Sequence, residues 1–399
     1  MKDSVLAIGS PFPWSPGHTW LELELLALKK LASSDHRIYI YPVLNADYAS
    51  LMDSRLRLCL INLNIRIVSD HSEILNYFKS SDFIDVSLSH VKHLKRSDVA
   101  PEHYRVGSHD YFTDFANYAG ISSINQPYIS SNQVIHTDYQ DYCNLYCELP
   151  APFASAYKPI ARTDLAKRIL DLGKPIIVLN IREHTANASV GMHADDFIPL
   201  VSYLHDNNFI IIDMSHESKS TDCLNFCKKY NVIPYWSFND KSKESDYDLL
   251  ANCEYFIGSG GLAHIATTFR VPILWIGNLY PVQIASDYGF QLPCSLFKLN
   301  SGAQLSPEEH FLCYYFLPEL WDEKYDSFLR KFGPYNMHNC IDYFRSRYII
   351  RKPSAYSILT AFIEMSRRKV AVANISSSYS SMIPRDLLGR NLITLACYV

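Results

Sequence analysis

The stretch from Cys253 to Phe269 confines the fold more than any other part of the chain. Tyr255, Phe256 and Ile257 form a short apolar run that reads as the end of a buried strand. Gly258, Ser259, Gly260 and Gly261 follow at once, and an apolar helical pattern opens at Leu262. A strand, a glycine-rich turn and a helix together build an anion site in α/β proteins. The first-turn N–H groups have no helical partner, and the dipole adds roughly half a positive charge. Glycine lets the backbone approach a phosphate that a side chain would hold off. Ser259 is placed to cap the helix or to bind a phosphate oxygen, and His264 lies in the first turn, within reach of the same ligand. The same residues equally make a plain tight turn, and local spacing does not separate the two readings. A dinucleotide fingerprint does not fit, because no glycine falls three residues after Gly260 and no acid stands about 20 residues on. A P-loop is excluded, since no Gly-Lys-Ser/Thr follows. The anion reading leaves a phosphate-bearing ligand of another kind.

Upstream, the chain opens on the same alternation. Residues 4–9 read as a strand, and the Pro-rich segment Ser10–His18 as a loop. From Thr19 the residues Trp20, Leu21, Leu25, Leu28 and Leu31 keep one helical face apolar, and Arg37–Tyr41 reads as a second strand. Strand, helix and strand make a βαβ unit with a parallel sheet. Ligands in such sheets sit at the carboxyl ends of the strands. Gly17-His18 lies at that end, and Glu22 follows one turn later. Asn45–Leu58 reads as helix and Leu60–Val68 as strand. Residues 72–147 carry no clear period, with candidate helices at Glu73–Lys79 and Tyr111–Ala119. Three prolines between Glu148 and Pro159 mark an interdomain linker.

Beyond it come a helix at Asp164–Leu172, a buried strand at Ile176–Ile181, a helix at Ala194–Asn207 and a strand at Phe209–Asp213. A helix at Leu224–Tyr230, a short strand at Val232–Tyr235 and a short helix at Tyr247–Asn252 lead to the glycine-rich element. A strand at Pro272–Ile276 then ends in Gly277-Asn278. Residues 283–350 look irregular, and Ser354–Arg367 is an amphipathic helix expected to cross back onto the first domain. The fold expected is α/β, with two doubly wound Rossmann-like domains, one over 1–155 and one over 160–350, and a C-terminal helix and tail over 351–399.

Composition narrows the function. A chain of 399 residues with 48% hydrophobic content holds two sizeable cores. A net charge of −4 and the absence of long basic runs speak against nucleic acid. Ten cysteines without paired spacing suggest neither a zinc site nor a disulfide framework, and suit a reducing cytoplasm. The N-terminus shows no secretory pattern, and no apolar run is long enough to span a membrane. Arg367-Arg368-Lys369 is placed for peripheral contact with anionic lipid.

Three polar loops leave strands of the second half at their carboxyl ends: Arg182-Glu183-His184, Met214-Ser215-His216 and Ser259-Gly260-Gly261. Parallel topology brings them to one rim. There Arg182 can hold a phosphate through two donors while the helix N-terminus holds its other oxygens. Glu183 has a local ion pair with Arg182 as its plainer role. Asp246 and Asp248, read as preceding the short helix, suit either ribose and sugar hydroxyls or ordinary helix capping. Glycosyl transfer requires stabilised charge on a departing nucleotide diphosphate and a base for the acceptor hydroxyl. Arg182 and the glycine-rich amides suit the first; Glu22 or His18 suits the second. Asp246-Tyr247-Asp248 opens a helix and makes a poor metal motif, so no metal and no cofactor beyond the donor is expected.

Ser259-Gly260-Gly261-Leu262-Ala263-His264 resembles the Asp-Thr-Gly-Leu-x-His element of the GT-B glycosyltransferases of the lipopolysaccharide heptosyltransferase kind. Here serine replaces aspartate and glycine replaces threonine. The chain also resembles a group of bacterial glycosyltransferases of largely unassigned specificity. The matching residues are Gly17-His18 with Glu22, Ile181-Arg182-Glu183, Ser245-Asp246 leading to Phe256–Gly261, and Pro272–Asn278. The resemblance implies a GT-B-like fold with two domains facing a central cleft. It implies a nucleotide-sugar donor held by Arg182, Glu183, Ser215, Asp246, Ser259, Gly260, Gly261, His264 and Asn278, and a glycan or lipid-linked acceptor in surface polysaccharide synthesis. A nucleotide-sugar 2-epimerase of similar shape and a non-catalytic nucleotide- or sugar-binding protein are the alternatives.

Overall fold

A computed structural model describes residues 5–8, 16–32, 38–42, 53–68, 84–87, 145–146, 149–158, 161–182, 191–215, 221–277, 290–305, 347–368 and 393–394. The expected helices at Glu73–Lys79 and Tyr111–Ala119 lie outside them, as do Glu183, His184, His216 and Asn278. The chain divides into two compact units, Met1–Ala156 and Tyr157–Val399. Both are α/β with parallel sheets.

The first unit runs β1 (Val5–Ile8), α1 (Pro16–Ala32), β2 (Ile38–Pro42), α2 (Ser54–Asn62), β3 (Ile65–Val68) and β4 (Ile84–Ser87). Its strands lie in the order β3-β2-β1-β4, every pair parallel. The winding direction therefore reverses beside β1, whose carboxyl end leads to α1. The loop expected through His18 is shorter than its prolines suggested. Pro16 starts the helix, where its missing N–H costs nothing and its fixed φ suits the first turn. Trp20, Leu23 and Ala27 of α1 are buried, and Trp20 meets Phe153 edge to face at 5.7 Å between ring centres. The Asp53 carboxylate accepts the Leu56 amide at 2.9 Å and so sets the start of α2. The strand expected from Leu60 begins instead at Ile65, because α2 continues to Asn62 and Asn64 turns the chain in the left-handed region (φ 57°). Strand β4 falls in the stretch whose sequence showed no period.

The second unit continues with α3 (Ala154–Tyr157, which straddles the division), α4 (Asp164–Leu170), β5 (Ile176–Asn180), a 3-10 turn (Ala194–Phe197), α5 (Ile198–Asp206), β6 (Ile210–Asp213), α6 (Thr221–Lys229), β7 (Ile233–Pro234), a second 3-10 turn (Tyr235–Ser237), α7 (Lys243–Asn252), β8 (Tyr255–Gly258), α8 (Gly261–Thr268), β9 (Ile273–Ile276) and β10 (Phe290–Leu292). An antiparallel ribbon, β11 (Ser295–Lys298) with β12 (Tyr348–Arg351), then α9 (Ala355–Arg368) and β13 (Ile393–Thr394) complete it. The sheet order is β13-β10-β9-β8-β5-β6-β7, parallel throughout. Strands β8 and β9 are buried at every position, as unbroken apolar runs covered on both faces require. Asn208 (φ 65°) and Asn231 (φ 51°) end α5 and α6 in left-handed turns that aim the chain into β6 and β7.

Two readings change here. Residues 283–350 contain three strands rather than irregular chain. The C-terminal helix, expected to cross back onto the first domain, packs within the second unit. Ile358, Ala361, Phe362 and Met365 recur at helical spacing and enter the core that α5, β9 and β10 share. Phe362 stands edge-on to Tyr255 at 5.2 Å and to Tyr203 at 6.2 Å. The apolar stripe follows the nearest unfilled sheet face. Among the described residues no helix is long and apolar enough to cross a membrane.

Phe362 is 1% exposed, so Phe362→Ala should destabilise the second unit by about 3–5 kcal/mol. Urea unfolding followed by tryptophan emission and circular dichroism measures it. A loss under about 1 kcal/mol would mean that α9 is not part of this core.

Candidate functional site

In the second unit the chain leaves β5 for β6 and β7 on one side, then returns to β8, β9 and β10 on the other. The gap beside β5 and β8 at their carboxyl ends is the switch point where open parallel sheets receive ligands. Asn180 and Gly258 are paired residues at those ends. Gly258 has φ 145°, and a Cβ there would stand 2.5 Å from the Asn180 carbonyl oxygen. The Asn180 side-chain amide in turn donates to the Ser259 carbonyl, tying the glycine-rich turn to β5.

Gly260 (φ 94°) is the residue that caps α8, and no side-chain oxygen caps that helix. Ser259, expected to cap the helix or to bind a phosphate oxygen, stands one position before the cap and is buried, and its carbonyl accepts from Asn180. The dipole and the first-turn amides from Gly261 onward are therefore met by backbone alone. Over them lies Arg182. Its Cζ is 3.0 Å from where a Gly260 Cβ would be, so the guanidinium occupies the space that the glycine leaves. Arg182 is half-buried, and burial lowers its pKa from the ordinary value. Among the described residues no carboxylate or other acceptor meets its guanidinium. A desolvated cation without an anion is costly, and here it stands beside the positive end of a helix. The arrangement is complementary to an anion.

Ser215 does not face that space. It is 4% exposed, its Oγ accepts the Ile181 amide at 2.7 Å, and its hydroxyl donates to Asp213 Oδ1. The Ser215 hydroxyl thus already donates one hydrogen bond and accepts one inside the protein. Asp213, fully buried, also accepts the Ser215 amide (3.1 Å) on Oδ1 and, on Oδ2, the Trp236 indole N–H (3.2 Å) and the Cys223 thiol (3.6 Å). Sequence reasoning missed Asp213 and Trp236. An acid closing the apolar run Ile210–Asp213 was the available signal. Asp213, Cys223 and Cys227 also bring ligand-type atoms within 4.8 Å of one another, but the carboxylate is already an acceptor for four donors.

His264 lies in α8 with its ring 4.9 Å from that of Trp275 on β9, tilted by 56°. Asp246 and Asp248 do not precede α7 but lie inside it, because Ser242 caps it four residues earlier than expected (Ser245 amide to Ser242 Oγ, 3.2 Å). Asp248 is fully buried. It accepts the Arg162 and Thr163 amides (both 3.0 Å) and the Thr163 hydroxyl (2.9 Å) at the start of α4. Asp246 is partly buried beside the Tyr235 hydroxyl and Lys241. Burial raises its pKa to about 6 against the lowering by Tyr235 and Lys241. Burial likewise pushes the Tyr235 phenol far above its usual range. In the first unit, His18 and Glu22 stand four positions apart in the first two turns of α1; their side chains lie outside the described residues.

No family model matches the chain, and no curated protein matches it. Solved structures show a distant similarity to heptosyltransferases. E. coli ADP-heptose lipopolysaccharide heptosyltransferase II is 12% identical with a TM-score of 0.34, over 79% of this chain and 99% of that one. A glycosyl transferase family 9 protein from Veillonella parvula is 11% identical with a TM-score of 0.42, over 91% and 97%. E. coli heptosyltransferase WaaC with ADP is 13% identical with a TM-score of 0.38, over 80% and 98%. A likeness of this grade carries neither activity nor substrate to this chain.

Two outcomes follow from the geometry. Gly258→Ala should destabilise by more than about 2 kcal/mol, since both its φ and the Asn180 carbonyl oppose a Cβ. Wild-type stability in thermal melts would argue against the described register. Asp246 is held above its unfolded value, so the fold favours its protonated form. Its contribution is fully present below pH about 4 and is lost as pH rises through about 6. Asp246→Asn should therefore gain stability over wild type between those values and hold the gain above, as melts across pH 4–8 will record. A gain that does not change with pH would refute the assignment.

Proposed function

We propose that the chain is a glycosyltransferase that moves a sugar from a nucleotide-activated donor to a glycan or lipid-linked acceptor. The observation that carries this is the half-buried Arg182 guanidinium. It lies across Gly260 at the uncapped N-terminus of α8, on a switch point, with no acceptor among the described residues. A diphosphate supplies the missing charge. Its oxygens take the first-turn amides of α8 and the Arg182 donors. The same groups stabilise the negative charge that grows on the nucleoside diphosphate as the sugar leaves.

In this reading both units are Rossmann-like, and the first supplies the acceptor side. Glu22 or His18, near the switch point of that unit, removes the acceptor hydroxyl proton. The cation and the helix terminus take the role of a divalent metal, so the transfer proceeds with a chelator present. The place of action is the cytoplasm, at or near the inner face of the membrane, in the synthesis of surface polysaccharide. Glu183 and Asn278 belong to the donor side by sequence position.

Thermal melts with ADP, UDP, GDP and their sugars test the donor site. A ligand at 100 times its dissociation constant raises stability by about 2.7 kcal/mol. One nucleotide class should stabilise the wild type, and Arg182→Ala should shrink the shift to what the α8 amides alone retain, while leaving the unliganded melt near that of wild type. Absence of any shift with every nucleotide would sink the proposal. Release of nucleoside diphosphate without an acceptor would instead favour the 2-epimerase reading.

A further inference from the structure

The carboxyl rim of the second sheet contains a buried relay that no ligand-facing role uses. It begins at Trp236, in the 3-10 turn after β7, whose indole N–H donates to Asp213 Oδ2 at 3.2 Å. Asp213, at the end of β6, accepts on its other oxygen from the Ser215 hydroxyl and amide. Ser215 Oγ accepts the Ile181 amide at 2.7 Å, at the exit of β5. The next residue is Arg182, whose carbonyl is held from the other side by the Met192 amide at 2.7 Å. Three neighbouring strand ends are thus linked by hydrogen bonds that close on the backbone of the cation.

The physical need for such a relay is plain. The residues after a β-strand end have lost their ladder partners, so the direction of the Arg182 side chain depends on local bonds. Asp213 is fully buried and Ser215 nearly so, so their bonds are not exchanged for bonds to water. A fully satisfied buried network is rigid, and removing one member strands the others.

We infer that Ser215 and Asp213 are positioning residues that set the Arg182 guanidinium over Gly260, and that Trp236 couples the turn after β7 to it. This rests on reading Arg182 as the cation that meets the diphosphate. Neither residue touches the ligand; each acts through the Ile181–Arg182 backbone. Movement of the 235–237 turn, wherever its cause lies, is transmitted through one carboxylate to the cation.

Two measurements separate this inference from the donor-site reading. The first uses no ligand. The Arg182 side-chain Nε–Hε signal, identified by its loss in Arg182→Lys, is followed by NMR in protein labelled with nitrogen-15 arginine. It should shift or broaden in Ser215→Ala and, less, in Trp236→Phe, which removes the indole N–H together with part of the ring. It should stay in place in Asn207→Ala, an exposed control at the end of α5 whose side-chain amide donates to the Tyr203 carbonyl. An Arg182 signal unchanged in both relay variants overturns the inference. Should Ser215→Ala fail to fold, Trp236→Phe alone decides this arm.

The second is a titration with inorganic pyrophosphate. Ser215→Ala should weaken binding about 10-fold, and less than about 2-fold when Arg182 is already alanine, because coupled residues do not add. Losses that multiply in the double variant overturn the inference. Wild-type protein that binds no pyrophosphate sinks the donor-site reading, while the NMR arm still decides the relay.

Discussion

The pairing of β5 with β8 holds the second unit's site together. Those strands lie far apart in sequence, and their register puts Asn180 opposite Gly258. A side chain at Gly258 would collide with the Asn180 carbonyl, so the pair closes only because the residue has none. The same closeness lets the Asn180 amide hold the Ser259 carbonyl and turn the chain sharply into α8. Arg182, two residues past Asn180, then falls over Gly260. Two glycines with different tasks, one under a carbonyl and one under a guanidinium, thus place a cation against a helix terminus.

Charge in this region is distributed unevenly, and the unevenness has a pattern. The buried carboxylate of Asp213 is surrounded by donors from several elements, and that of Asp248 by three from Arg162–Thr163 at the start of α4. Among described residues, Arg182 has no such company. Protein interiors normally pair what they bury, and the exception coincides with the switch point of the sheet. That coincidence supports the proposed anion site, on which the spacing of Gly258–Gly261 by itself is silent.

Much of this was legible before any coordinates. The apolar runs at 176–181, 209–213, 255–257 and 272–276 read directly as strands, because strands covered on both faces need no alternation. The glycine-rich element and Arg182 could be placed at one rim from parallel topology alone. What stayed hidden depends on pairing across the chain. Ser215 reads as a polar loop residue, and its role is visible once β5 and β6 are side by side. Asp248 looks like its neighbour Asp246, yet one faces α4 and the other Tyr235. Strand β4 and the ribbon of β11 and β12 sit in segments whose short apolar stretches have no period to distinguish them. The C-terminal stripe at Ile358–Met365 was read correctly as a helix and assigned to the wrong unit, since an apolar face does not say which core it fills.

The position of α9 bears on how the protein is made. Its stripe closes the core over β9 and β10, yet it follows β9 by roughly 90 residues. At about 5–20 residues per second, a ribosome needs about 5–20 s to deliver the helix after the strand has emerged. During that interval a sheet face destined for burial is wet. The nascent chain thus passes through a window in which an apolar surface is open to holdase chaperones or to neighbouring chains. The length of that window is set by the speed of translation, not by the stability of the finished fold.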